Sequence, residues 1–114
     1  MILVVDDDPR ILSATRAILV EQDFAVSVCS DGQTALDTLA GHPEIKLVIS
    51  DVLMPGMKGT DMVRIAKLAR PDLRILFMSG DIGDTKADDF GDHALLSKPF
   101  TASSLLQAIA KVLG

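Results

Sequence analysis

The chain has 114 residues, 48% of them hydrophobic and 24% charged, with a net charge of -5 and a pI near 4.7. That length fits one compact domain over residues 1–114 and leaves no room for a second. The acidic balance lacks the basic face that a phosphate backbone requires, and no apolar stretch approaches the ~20 residues of a membrane helix. The N-terminus carries no export pattern, so a cytoplasmic protein with no direct nucleic-acid contact and no membrane insertion is expected.

Strand and helix signals alternate along the chain. Ile2 to Val5 is an apolar run that ends in the acidic pair Asp6 and Asp7 and reads as a buried strand. Asp8 followed by Pro9 reads as an N-cap with proline at the first helical position. It opens a helix to about Val20, with Ile11, Ile18 and Leu19 inward. Phe24, Val26 and Val28 alternate with Ala25 and Ser27, the pattern of a strand at a sheet edge. Cys29 is the single cysteine, cannot form an internal disulfide, and reads as a small buried strand residue. Asp31 and Gly32 open a helix carrying Ala35, Leu36 and Leu39, which stops near Gly41 and Pro43. Ile45 to Ile49 is the third strand, ending just before Asp51. After a Pro55-Gly56 turn, Met62, Val63, Ala66 and Ala69 mark a third helix closed by Pro71. Leu73 to Met78 is the fourth strand and delivers Ser79. Residues 80–92 hold five aspartates and only Ile82, Ala87 and Phe90 as apolar anchors, so any helix there is expected to be short and weakly held. The run Ala94 to Leu96 ends just before Lys98. Thr101 then caps a last helix with Leu105, Leu106, Ile109 and Val112 facing the core.

This alternation implies an α/β fold, a doubly wound parallel sheet with helices on both faces. Ligands of such sheets bind outside the carboxyl ends of the strands, where Asp6, Asp7, Asp51, Ser79 and Lys98 all fall. Three carboxylates, a hydroxyl and an ammonium group together suit a divalent metal and a phosphoryl group. A hard cation takes oxygen ligands, which Asp7 and Asp51 can supply directly. A carboxylate can also accept a phosphoryl group covalently, which makes Asp51 the candidate nucleophile. Lys98 would pair with a phosphoryl oxygen and Ser79 would donate a hydrogen bond to another. His42 and His93 have no metal-ligand spacing and read as structural or exposed.

With ILVVDDDP at 2–9, SDVLMPGMKG at 50–59, FMSGD at 77–81 and LLSKPF at 95–100, the chain resembles the receiver domain of two-component response regulators over nearly its whole length. FMSGD and LLSKPF look similar to receivers attached to hybrid histidine kinases. The resemblance implies a flavodoxin-like five-stranded sheet in the order 2-1-3-4-5 and a site for Mg2+ (or Mn2+). In that site Asp6 acts through a bridging water, and the Leu53 backbone carbonyl completes the ligands set by Asp7 and Asp51. It also implies a cis Lys98-Pro99 bond. The implied function is phosphorelay signal transduction: Asp51 is the phosphoacceptor for a histidine kinase or histidine phosphotransfer protein and switches a downstream protein or attached output domain. Such a chain catalyses its own phosphorylation and dephosphorylation without being a conventional turnover enzyme.

Two departures bear on the readout. The family often has an aromatic residue three positions before the lysine, and here that position is Leu95. Ser79 and Lys98 are 19 positions apart, shorter than usual, so a shortened or mobile helix between the fourth and fifth strands is expected, with readout through the order of residues 80–92. Other classes fit less well. A flavodoxin needs hydroxyls and amides in the first strand-end loop, which here holds three aspartates, and a haloacid-dehalogenase-type phosphatase needs an acid two residues after its nucleophile, where Leu53 stands. The remaining alternative is a receiver-like interaction module that does not use phosphorylation.

Overall fold

In the computed structural model, which describes residues 1–80 and 93–114, the apolar runs become parallel strands. They are β1 (Ile2–Val5), β2 (Val26–Cys29), β3 (Leu47–Asp51), β4 (Arg74–Ser79) and β5 (Ala94–Ser97), in the order β2-β1-β3-β4-β5. Interleaved are helices α1 (Pro9–Glu21), α2 (Gly32–Gly41), α3 (Gly59–Ala69) and α4 (Ala102–Leu113). The strand order is the one the family resemblance implies. The expectation of a shortened helix with a readout role in residues 80–92 concerns a stretch that, but for Gly80, lies outside the described residues.

The sheet is buried on both faces, which is why β1 and the Leu47 to Ile49 part of β3 read as unbroken apolar runs. Successive side chains point to opposite faces. Leu3, Val5, Val48, Ile75 and Phe77 therefore pack with Ala35 and Leu39 of α2 and Met62, Val63 and Ala66 of α3. Their alternates Ile2, Val4, Leu47, Ile49, Leu76 and Met78 pack with Leu19 of α1 and Leu105 and Ile109 of α4. β2 lies at the edge as its weaker pattern suggests, although Val28 is exposed there and Cys29 is the strand's buried residue. Burial pushes the Cys29 thiol above its ordinary pKa, which leaves it an inert core residue.

The helix starts follow local chemistry. Asp8 accepts the Arg10 N–H ahead of Pro9, and Asp31 accepts the Thr34 N–H. Thr101 and Ser104 form a reciprocal capping box. Gly56 turns with φ of +83°, a conformation that glycine adopts without steric cost, and it carries the chain from β3 towards α3.

One inner position of α1 breaks the apolar pattern. Thr15 is fully buried between the Ile11 and Leu19 turns, and its hydroxyl has no hydrogen-bond partner among the described residues. An unsatisfied buried hydroxyl costs about 1–3 kcal/mol, so Thr15→Val, which keeps the shape and removes the polar atom, is expected to raise stability by about 1 kcal/mol. Urea unfolding at neutral pH checks this.

Candidate functional site

Strand register brings the polar strand ends level. Val5 is opposite Ser50, Asp51 is opposite Met78, and Ser79 is opposite Ser97, so the residues that follow each strand emerge at one edge of the sheet. Asp6 follows β1, Asp51 ends β3, Ser79 ends β4 and Lys98 follows β5. All lie at the carboxyl end, where doubly wound sheets bind ligands.

Asp6 is completely buried, and both of its oxygens are engaged. Oδ1 accepts the Asp8 N–H at 2.9 Å and Oδ2 accepts from Lys98 Nζ at 2.7 Å. Lys98 Nζ is also 3.4 Å from Asp51 Oδ1, so it bridges the two carboxylates. Asp7 is exposed at the mouth. Carboxylate oxygens of Asp6, Asp7 and Asp51 all lie within 4.8 Å of one another, an oxygen-only donor set that fits a hard divalent cation. Ser79 is buried, and its carbonyl accepts the Lys98 N–H at 2.8 Å, tying the ends of β4 and β5 together. The Lys98-Pro99 peptide bond is cis. Leu53 sits half-exposed just past β3.

The electrostatics are shaped by burial. Asp51 is pushed above its ordinary pKa of 3.8 chiefly by burial; Lys98 opposes this, while Asp6 and then Asp7 add to it. Repulsion among the carboxylates is thus a smaller contribution than burial. For Lys98, burial disfavours the charge, but the hydrogen bond to Asp6 and the charges of Asp51 and Asp6 outweigh it and raise the pKa above 10.5. A cation with a raised pKa contributes stability that is full below 10.5 and is lost only as pH rises through the folded value, so Lys98 stays charged across neutral pH.

Two neighbours given no role on sequence grounds shape the end of β3. Ser50, fully buried, donates its hydroxyl to the Asp51 carbonyl at 2.9 Å. Gly59 starts α3 against the same carbonyl, where a Cβ would stand only 1.9 Å away, so only glycine lets the helix approach this closely. A polar residue in an otherwise apolar strand and a glycine at a helix start were the available signals. The histidines stand apart from the site. His42 Nδ1 is 2.8 Å from Glu44 at the surface, and His93 meets the Phe77 ring edge-on with centroids 5.9 Å apart. Leu95 is half-buried and packs against the core beneath α2 and α3.

Comparison with known proteins agrees with this geometry. The family model for the response regulator receiver domain matches residues 2–110. The regulatory protein VanRB of Enterococcus faecalis is 35% identical over 98% of this chain, which spans 51% of that protein. The response regulator receiver protein CpdR of Brucella abortus is 30% identical over 98% of this chain and 95% of its own length. Sensor kinase CckA of Brucella abortus is 31% identical over 99% of this chain, which corresponds to 12% of that kinase. The chain therefore spans about half or less of several curated relatives and nearly all of another. The solved structure of the chemotaxis protein CheY4 of Vibrio cholerae superposes with a TM-score of 0.91 at 27% identity, covering 97% of this chain and 96% of that one. None of the described helices is long and apolar enough to cross a membrane. Fold, site and motif order converge: the chain belongs to the response regulator receiver domain family of two-component signalling.

Proposed function

We propose that Asp51 is the phosphoacceptor of a cytoplasmic phosphorelay. The observation that carries this reading is the Lys98 bridge between Asp6 and Asp51 beside the exposed Asp7, a cation and three carboxylates at the carboxyl end of the sheet. In the proposed step an Asp51 carboxylate oxygen attacks the phosphorus of a phosphohistidine on a histidine kinase or histidine phosphotransfer protein. The P–N bond breaks, its electron pair returns to the imidazole, and an acyl phosphate remains on Asp51.

Asp7 and Asp51, with the Leu53 carbonyl, would hold Mg2+ (or Mn2+). Asp6, whose two oxygens already accept from Asp8 and Lys98, suits a contact through a bridging water. Bound metal supplies the positive charge that offsets repulsion between the Asp51 carboxylate and the incoming phosphoryl oxygens. Lys98 gives up its longer contact to Asp51, keeps Asp6, and pairs with a phosphoryl oxygen. Ser79 donates its hydroxyl to another. The phosphoryl group adds about -1.5 to -2 of charge, so drawing Lys98 and Ser79 towards it shifts the ends of β4 and β5 and switches a downstream protein or an attached output domain.

Incubation with acetyl phosphate and Mg2+ tests the reading by intact mass. The expected result is one added phosphoryl group that is absent when the metal is chelated. No addition to a folded chain would overturn it and favour a receiver-like interaction module that does not use phosphorylation.

A further inference from the structure

We infer that Ser50 is a positioning residue for the metal site, acting through the backbone between Asp51 and Leu53. The inference rests on the reading that Asp51 and the Leu53 carbonyl are metal ligands. These two groups are joined by two peptide planes, and their relative placement depends on how firmly those planes are held. The Asp51 carbonyl accepts from the Ser50 hydroxyl at 2.9 Å. The Val52 N–H donates to the Met78 carbonyl at 3.0 Å, and the Val52 carbonyl accepts the Gly59 N–H at 2.9 Å. Every backbone polar group from the Asp51 carbonyl to the Val52 carbonyl therefore has a protein partner. Leu53 is the next residue, and its carbonyl is the proposed ligand.

Ser50 supplies the one side-chain bond in this series. It is completely buried, and because a carbonyl cannot donate, the hydroxyl proton must lie between the two oxygens. Gly59 packs against the same carbonyl, where a Cβ would stand 1.9 Å from it and 3.0 Å from Ser50 Oγ. Without the hydroxyl the carbonyl loses its donor and the first peptide plane is free to tilt. The Asp51 carboxylate and the Leu53 carbonyl then no longer keep one separation. Groups that orient metal ligands without touching the metal typically change metal affinity by about 10–100-fold.

The experiment is calorimetric titration of the unphosphorylated full chain with Mg2+, for wild type, Ser50→Ala, Ser50→Cys and Asp51→Asn, with Leu105→Ala as a control that lowers Tm from the opposite face of the sheet. Ser50→Ala should weaken Mg2+ binding about tenfold, and Ser50→Cys, whose thiol is a weak donor, should fall between it and wild type. Leu105→Ala should lower Tm and leave Kd unchanged, separating positioning from loss of stability. Should Ser50→Ala not fold, Ser50→Cys carries the same comparison. Wild-type Kd in the Ser50 variants overturns this inference and leaves the site reading standing. No saturable binding by wild type, or wild-type affinity in Asp51→Asn, overturns the site reading and this inference with it.

Discussion

Lys98→Ala is expected to lower stability by about 3–5 kcal/mol, the largest single effect at this site. The Lys98 side chain is 16% exposed and bridges Asp6, 1% exposed, and Asp51, 12% exposed. Removing one member of a buried ion pair leaves the others without a counter-charge, and here it strands two carboxylates at once. Among the described residues Asp6 would retain only the Asp8 N–H at 2.9 Å. The loss should shrink as pH falls and Asp51, which Lys98 no longer holds ionised, takes up a proton. Because the competing cation is gone, Mg2+ should raise the Tm of Lys98→Ala by more than it raises that of wild type. Thermal unfolding with and without Mg2+, at neutral and acid pH, measures all three effects.

Asp51→Asn should do the reverse, raising stability and abolishing phosphoryl uptake. The sign follows from the raised pKa of Asp51, for which burial is the largest cause. A carboxyl whose folded pKa lies above 3.8 holds more protons folded than unfolded, so its contribution is complete below 3.8 and is lost as pH rises through the folded value. At neutral pH the ionised Asp51 is a net cost to the fold in spite of Lys98. Asparagine has no charge to desolvate, and Lys98 keeps Asp6 as its partner. The variant should therefore melt higher than wild type at pH 7, with the difference closing as pH falls below 3.8. Mg2+ at a hundred times its Kd stabilises a binding protein by about 2.7 kcal/mol, and Asp51→Asn should show much less of this response. Equal Mg2+ responses in the two proteins would contradict the placement of Asp51 at the metal.

Much of this site is legible in the sequence because its parts stand at strand ends. Apolar runs that stop abruptly mark both the buried sheet and the polar groups that follow it, so Asp6, Asp51, Ser79 and Lys98 can be gathered before any coordinates are known. Asp8, Asp31 and Thr101 declare the helix starts through the same local chemistry they use in the fold. What stays hidden depends on three-dimensional proximity. The direct partners of Lys98 are Asp6, far away in sequence, and Asp51, and no spacing rule says which carboxylate takes the short bond. Burial outranks carboxylate repulsion at Asp51 only once the chain has folded around it. Thr15 looks like an ordinary polar helix residue until the inner stripe of α1 is laid against the sheet. The bond from Ser50 to the Asp51 carbonyl joins adjacent residues, yet it forms only because β3 ends there and Gly59 brings α3 against the same carbonyl.

The central claim is that the phosphoryl group is carried by Asp51. After phosphorylation by acetyl phosphate in Mg2+, borohydride reduction of the acyl phosphate followed by peptide sequencing identifies the modified residue directly. Conversion of position 51 alone to homoserine is the predicted result; modification at Asp6, Asp7 or any other position, with Asp51 untouched, would contradict it.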